Sequence, residues 1–428
     1  MLEIIESKNE INDFFENLNK RGNVNNSKYS EIVKGILDNV LKNGDQAILE
    51  YTKKFDDENF SLDKMEIPMS ELKEAYESLE DNTKNILNRA HKRIEDYHKH
   101  QLKESWMYED SIGAKLGMKY SPIENVGVYV PGGLAAYPSS VLMNIIPAKV
   151  AGCKNITMVT PMPKGIKNPL VLAAAYVAGC TKCYRIGGAQ AIGALAYGTK
   201  TIKKVDKIVG PGNIYVALAK REVYGLVGID SIAGPSEICI IADKTCNPTY
   251  LAYDLLAQAE HDVLASSVLF VTDKDVALKI KNKANELAST AKRNNILERS
   301  LTDFSKIIVV KDLDEACMYA NMIAPEHLEL AFDDANSYVN KIHNAGAIFI
   351  GHYSAESFGD YMSGPNHVLP TVKTARFFSP LNVDDFMKKT SLQCLSKEAA
   401  LALVDDVYEF ATLEGLEMHA RAALARKE

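Results

Sequence analysis
From Gly113 onward the chain consists of short apolar runs that alternate with helix-length segments, and glycine or proline marks most of the changes. Apolar runs at 126–130, 156–160, 183–186 and 207–209 read as strands, with helices expected at 139–151, 169–178 and 189–197 between them. Strands covered on both faces show as continuous apolar runs, and parallel strands need a crossover long enough to hold a helix. The pattern therefore predicts parallel βαβ units. It then starts again, with strands expected at 238–242, 267–271, 306–310, 328–332 and 347–350. Two successive sheets follow, so the expected fold class is α/β with two Rossmann-like parallel-sheet domains.

The flanks differ in texture. The first hundred residues are charged and helical in pattern, and His91, His98 and His100 are expected on solvated surface there. After about residue 384 the chain reads as helical to its end, a tail too short for a core of its own. The expected division is a helical segment over 1–25, a first Rossmann-like domain from 26–128 with 236–380, a second over 129–235, and a tail over 381–428 that packs against something else.

A chain of 428 residues with 46% hydrophobic and 25% charged content is an ordinary globular polypeptide. Its net charge of −7 argues against nucleic acid or an anionic membrane as partner. The apolar run at 170–180 is far short of a bilayer span, and the start has no basic region ahead of an apolar core. A cytoplasmic location is expected. Cys180-Thr-Lys-Cys183 has the spacing of a redox pair but passes from helix to strand and lacks a second pair, so its cysteines are read as incidental.

Gly-x-Gly-x-x-Gly is missing after every expected strand, so the usual dinucleotide fingerprint is not available. Gly187-Gly-Ala-Gln-Ala-Ile-Gly and Gly210-Pro-Gly-Asn are glycine-rich strand-to-helix turns, able to bring backbone N–H groups to a phosphate or simply to turn tightly. In Gln258-Ala-Glu-His261 an amide and an imidazole stand three apart on an expected helix, so both reach one point. Asp360, His367 and His419 are further candidates in the C-terminal half, and two imidazoles with oxygen donors suit zinc. Ala324-Pro-Glu326-His327 sets a carboxylate beside an imidazole, either an acid–base pair or a surface Glu next to a capping His. Ala233-Gly-Pro-Ser236-Glu places a hydroxyl at a turn.

Taken together these segments resemble the histidinol dehydrogenase family. The resemblance rests on Gly228-Ile-Asp-Ser-Ile-Ala-Gly-Pro-Ser-Glu-Ile, Asp254-Leu-Leu-Ala-Gln-Ala-Glu-His-Asp, Val128-Tyr-Val-Pro-Gly-Gly133, Gly188-Ala-Gln-Ala-Ile, Gly210-Pro-Gly-Asn, Pro325-Glu-His-Leu and Ser363-Gly-Pro-Asn-His-Val-Leu-Pro-Thr. It spans nearly the whole chain and is weakest over the first 25 residues. It implies four-electron oxidation of L-histidinol to L-histidine through the aldehyde, with two NAD⁺ and zinc.

The resemblance also implies roles. Gln258, His261 and Asp360 would bind Zn²⁺, with His419 supplied by the partner of a homodimer that shares its active sites. Glu326 and His327 would be the catalytic pair. Ser236, His367 and Glu414 would help the ligands and His327 to hold the substrate, and Tyr129, Gln190 and Asn213 would contact NAD. One departure stands out: Val372-Lys373 follows Pro370-Thr371 where the family usually has Gly-Gly, so that loop is expected to differ in shape. Gly193 also replaces a common alanine. The rival readings are a related zinc- and NAD-dependent dehydrogenase for another small alcohol such as a sulfonated diol, a zinc hydrolase driven by Glu326, and a silent binding protein.

Overall fold
The computed structural model describes residues 2–21, 27–132 and 137–428. Its first sheet is parallel throughout, in the order Glu3–Ile5, Lys306–Val309, Ser266–Val271, Glu237–Ala242, His327–Ala331 and Ala347–Ile350. The second has the order Glu66–Ile67, Lys182–Tyr184, Asn155–Val159, Asn125–Tyr129, Lys207–Val209 and Gly228–Ile229, parallel except for its first pair. Leaving aside the first strand of each sheet, both follow the spatial order 3-2-1-4-5, the doubly wound arrangement. Every strand expected from the apolar runs is present. All six residues of Glu237–Ala242 and of Ser266–Val271 are buried, as strands covered on both faces require.

Helix starts follow from local chemistry. Asn168, Asn213 and Asn247 each accept backbone N–H groups of the first turn, and Pro169 and Pro248 occupy the position where a missing N–H costs nothing. The helix Pro248–Ala259 thereby begins beyond the C-terminal end of its strand and returns to the sheet's N-terminal edge with Gln258 at its end.

Residues 27–128 lie differently from the expected division. Ser27–Asn43 and Asp45–Phe55 pack on Gly188–Tyr197, burying Val33, Leu37, Val40 and Ile48 against Ile192 and Leu195. Met69–Glu77 packs on Pro169–Ala178, and Asp81–Lys99 on Pro138–Ala151. Their apolar faces thus complete the second sheet's layers rather than those of 236–380. The boundary at 25–26 and Gly133 lie outside the described residues.

The N-terminal segment is also more than helical. Glu3–Ile5 pairs with Lys306–Val309 at the edge of the first sheet, and the helix Lys8–Arg21 follows. In the tail, Met387–Cys394 is a strand where helix was expected. It pairs antiparallel with Lys115–Pro122, which pairs in turn with Trp106–Glu109. Its larger apolar residues, Met387 and Leu392, are five apart, about 140° round a helix, so they offer no helical face.

The helices Lys397–Leu413 and Glu417–Leu424 pack on each other, and among the described residues nothing beyond Met387 joins the four cores. Phe410, Leu413 and Met418 stay 68%, 79% and 64% exposed, an apolar surface for which one chain provides no cover. No helix of the described residues is long and apolar enough to cross a membrane.

His98 corrects another expectation, since it is fully buried rather than solvated. Its Nδ1 donates to the Ile94 carbonyl at 2.7 Å, and Nε2 lies 3.3 Å from the Asn366 amide nitrogen, whose N–H it accepts. The helix is thereby tied to the loop that carries His367. Cys180 and Cys183 are buried free thiols, and burial pushes Cys180 up to about 12, which denies it the thiolate of a redox role.

Candidate active site
The acid–base candidates sit at the N-terminal edge of the first sheet. The helix Leu313–Ile323 stops at Ala324 in the left-handed region (φ 51°), and Pro325 leads into Glu326 and the first strand residue, His327. Register pairs His327 with Ile238, which brings Glu237 beside Glu326. The Glu237 backbone N–H donates to Glu326 Oε2 at 3.1 Å, and the Ser236 hydroxyl also bonds that carboxylate. Burial, and next the Glu237 carboxylate, push Glu326 well above the usual carboxylate range, so that once ionised it is a strong base for its type.

His327 is buried at 4% exposure, and burial lowers it to about 4, so it is neutral at physiological pH. Its Nδ1 lies 3.2 Å from the Glu237 carbonyl and 2.9 Å from the Gln258 amide. The amide nitrogen of Gln258 is best placed inward, 3.2 Å from both the Glu237 carbonyl and Glu356 Oε1. With its proton on Nε2 the ring accepts the amide N–H at Nδ1, whereas with its proton on Nδ1 it donates to the Glu237 carbonyl, which has two lone pairs, and the amide keeps the two oxygens. In the second tautomer Nε2 is a bare acceptor. It has no partner among the described residues, and His327 lines a cleft of about 420 Å³ with Phe349, Asp360 and His367.

The inward amide nitrogen turns the Gln258 oxygen outward to His261, whose Nδ1 is 3.5 Å from the outer amide atom. Nδ1 of His261 donates to the Ala257 carbonyl at 2.9 Å, which leaves Nε2 with its lone pair for a metal. The helix ends at Ala259, so His261 stands just past it rather than on it, yet the turn keeps it beside Gln258. Ligand atoms of His261, Glu356 and Asp360 lie within 4.8 Å of one another. This donor set of imidazole nitrogen with carboxylate and amide oxygens fits zinc.

Of the expected ligands, Gln258, His261 and Asp360 therefore come together. His419 and the substrate candidate Glu414 are exposed on the tail and do not line this cleft within one chain. His367 does, with Nδ1 3.1 Å from the Asp360 carbonyl. Three contributors were missed. Glu356 precedes Asp360 by four residues, a shared helix face that the sequence spacing could have revealed. Glu237 adjoins Ser236, and Arg21 ion-pairs with Glu237 from the N-terminal helix.

Tyr129, Gln190 and Asn213 gather at the C-terminal edge of the second sheet, where open α/β sheets hold ligands. The Tyr129 hydroxyl accepts the Gly188 N–H at 3.1 Å, and burial raises it to about 12. Gln190 is buried in the first turn of its helix, and the Asn213 side chain caps the next. Gly210 (φ 113°) must be glycine, because a Cβ would stand 2.0 Å from the Tyr129 carbonyl oxygen. Its N–H donates to Asp230 at 2.7 Å and its carbonyl accepts from Lys220 at 3.0 Å, while those two side chains form a buried ion pair. That clamp fixes the turn carrying Asn213.

Val372 and Lys373 both adopt left-handed backbone, φ 50° and 65°. The loop thus keeps a backbone suited to glycine while carrying side chains there, at a cost of roughly 1–3 kcal/mol each. Val372 N–H donates to Glu237 Oε1 at 2.9 Å and Thr371 accepts from Gly234, which hold it in place.

The buried imidazole has a measurable signature. Folded His327 takes a proton only near about 4, whereas an unfolded histidine takes one near 6.5. Between those values the unfolded chain binds more protons, so stability is lost as pH falls. In metal-free protein, the unfolding free energy of the parent is expected to drop roughly 3 kcal/mol more than that of His327→Gln from about pH 7 to about pH 4. Urea unfolding at a series of pH values checks this, and parallel curves for the two proteins would contradict it.

The histidinol dehydrogenase family model matches residues 19–427. A histidinol dehydrogenase of Neisseria meningitidis serogroup A is 50% identical over 399 residues, 93% of each chain. One from Aquifex aeolicus is 49% identical over 417 residues, 97% of each. The crystal structure of histidinol dehydrogenase from Elizabethkingia anophelis superposes with a TM-score of 0.89 at 38% identity, covering 92% of this chain and 91% of that one. With the fold and nearly the full length shared, the chain belongs to the histidinol dehydrogenase family.

Proposed function
We propose that the protein oxidises L-histidinol to L-histidine through histidinaldehyde, reducing two NAD⁺ and consuming one water, as a cytoplasmic zinc-dependent homodimer. The observation that carries this reading is the unpartnered Nε2 of neutral His327, which meets the cleft beside Glu326 and the His261–Asp360 cluster. Gln258, His261, Asp360 and the partner's His419 would hold zinc, which when bound anchors the imidazole and amino nitrogens of the substrate. NAD, held by Tyr129, Gln190 and Asn213, supplies the hydride acceptor.

The chain's own residues do the proton work. Nε2 of His327 takes the alcohol's O–H proton as hydride leaves the same carbon. Glu326 takes a proton from the water that adds to the aldehyde. His327, having passed its first proton to solvent, takes the remaining O–H proton of the resulting gem-diolate as the second hydride leaves, and the carboxylate forms. Ser236, His367 and Glu414 hold the substrate through this sequence. No thiol nucleophile is required, in keeping with buried cysteines whose thiols burial pushes up.

The test is NADH formation by zinc-loaded protein given L-histidinol and NAD⁺, with product quantified alongside. Two NADH should appear per histidine, cease on chelation and return with zinc. Folded, metal-replete protein that forms no NADH would overturn the reading and direct attention to other small amino alcohols and diols.

A further inference from the structure
We infer that Arg21 is a positioning residue for the catalytic pair, so that the N-terminal helix is a working part of the active site. This inference rests on the function proposed above. Arg21 ends the helix Lys8–Arg21, and its side chain is 1% exposed. One terminal nitrogen donates to the Leu264 carbonyl at 3.1 Å and lies 3.4 Å from the Ser236 carbonyl. The other pairs with the Glu237 carboxylate. A guanidinium reaches the two sides through two separate nitrogens held in one rigid plane, whereas an ammonium has to serve both from a single nitrogen.

The grip falls on the stretch of backbone that orients both catalytic candidates. Glu237 gives its N–H to the Glu326 carboxylate and its carbonyl to Nδ1 of His327. The free oxygen of the Glu237 carboxylate accepts the Val372 N–H from the strained turn. Arg21 thus fastens one side of residues 236–237 and the 371–373 turn fastens the other. The guanidinium also sets a positive charge close to two buried carboxylates, Glu237 and Glu326.

The helix is itself held rigidly. Glu3–Ile5 is paired into the sheet edge, Ile11 and Phe14 are buried, and Phe15 meets Tyr319 edge-on at 5.7 Å. The family match begins at residue 19, so Arg21 falls inside it while the strand and most of the helix precede it. The preceding residues anchor the helix that carries that side chain.

The test compares full-length, zinc-loaded parent, Arg21→Ala and Arg21→Lys in steady-state oxidation of L-histidinol, with zinc content and thermal unfolding measured on each. Misplacing reacting groups by about an ångström costs on the order of a hundredfold in rate. Arg21→Ala should therefore lose about a hundredfold in kcat, with KM for histidinol and zinc content near those of the parent. Millimolar guanidinium should restore part of the kcat of Arg21→Ala and leave the parent unchanged, a response that a general loss of fold would not give.

A folded, zinc-replete Arg21→Ala with kcat within about threefold of the parent would overturn the inference. Should Arg21→Ala fail to fold, Arg21→Lys decides: a drop of at least about tenfold in kcat supports the fork geometry, and full kcat refutes it. If the parent itself fails to oxidise histidinol, the proposed function falls instead. An active parent with indifferent Arg21 variants sinks this inference alone.

Discussion

Protein carrying His327→Asn is expected to fold and bind zinc normally, yet to reduce NAD⁺ with L-histidinol about a thousandfold more slowly than the parent. Asparagine can still give an N–H to the Glu237 carbonyl, as Nδ1 of His327 does at 3.2 Å. It has no basic nitrogen to put where Nε2 now meets the cleft without a partner. In the proposed sequence the loss strikes both oxidations, because the same imidazole takes a proton in each.

Glu326→Gln makes a contrast within the same experiment. Its amide oxygen can accept the Glu237 N–H, but it cannot take a proton from water, so the first oxidation should proceed and the aldehyde accumulate. Rapid-quench analysis of alcohol, aldehyde and acid alongside NADH distinguishes the two variants. A zinc-replete His327→Asn within about tenfold of the parent would remove His327 from the role of base.

What the sequence displayed and what it hid follow from burial and distance. Strands such as Glu237–Ala242 were legible because a strand covered on both faces must be apolar along its length. The edge strands Glu66–Ile67 and Gly228–Ile229 are two residues long and give no periodic signal. Met387–Cys394 is mostly exposed, so nothing in its pattern announced a sheet. In the site, Gln258 and His261 were legible from local spacing, and Glu356 was readable by the same rule. Arg21 was not, since it meets Glu237 across 216 positions and owes its place to the pairing of Glu3–Ile5 at the sheet edge.

The tail supplies the second large effect. Within one chain the candidate metal cluster draws on His261, Glu356 and Asp360, while His419 stands exposed on a helix pair that buries nothing in the four cores. An exposed apolar surface on such a helix pair, with Phe410, Leu413 and Met418 outward, is accounted for if it docks on a second copy. Under the proposed crossed arrangement, His261→Ala and His419→Ala homodimers are each expected to be inactive, because every site lacks one ligand.

A mixed dimer differs. The His419→Ala chain brings an intact His261, the His261→Ala chain brings an intact His419, and one of the two sites is whole. Random exchange makes half the dimers mixed, so activity should recover to about a quarter of the parent's. Pull-down through a tag on one chain establishes that exchange took place. If exchange is complete and the mixture stays inactive, His419 does not cross between subunits, and the tail must serve an end other than completing the neighbour's metal site.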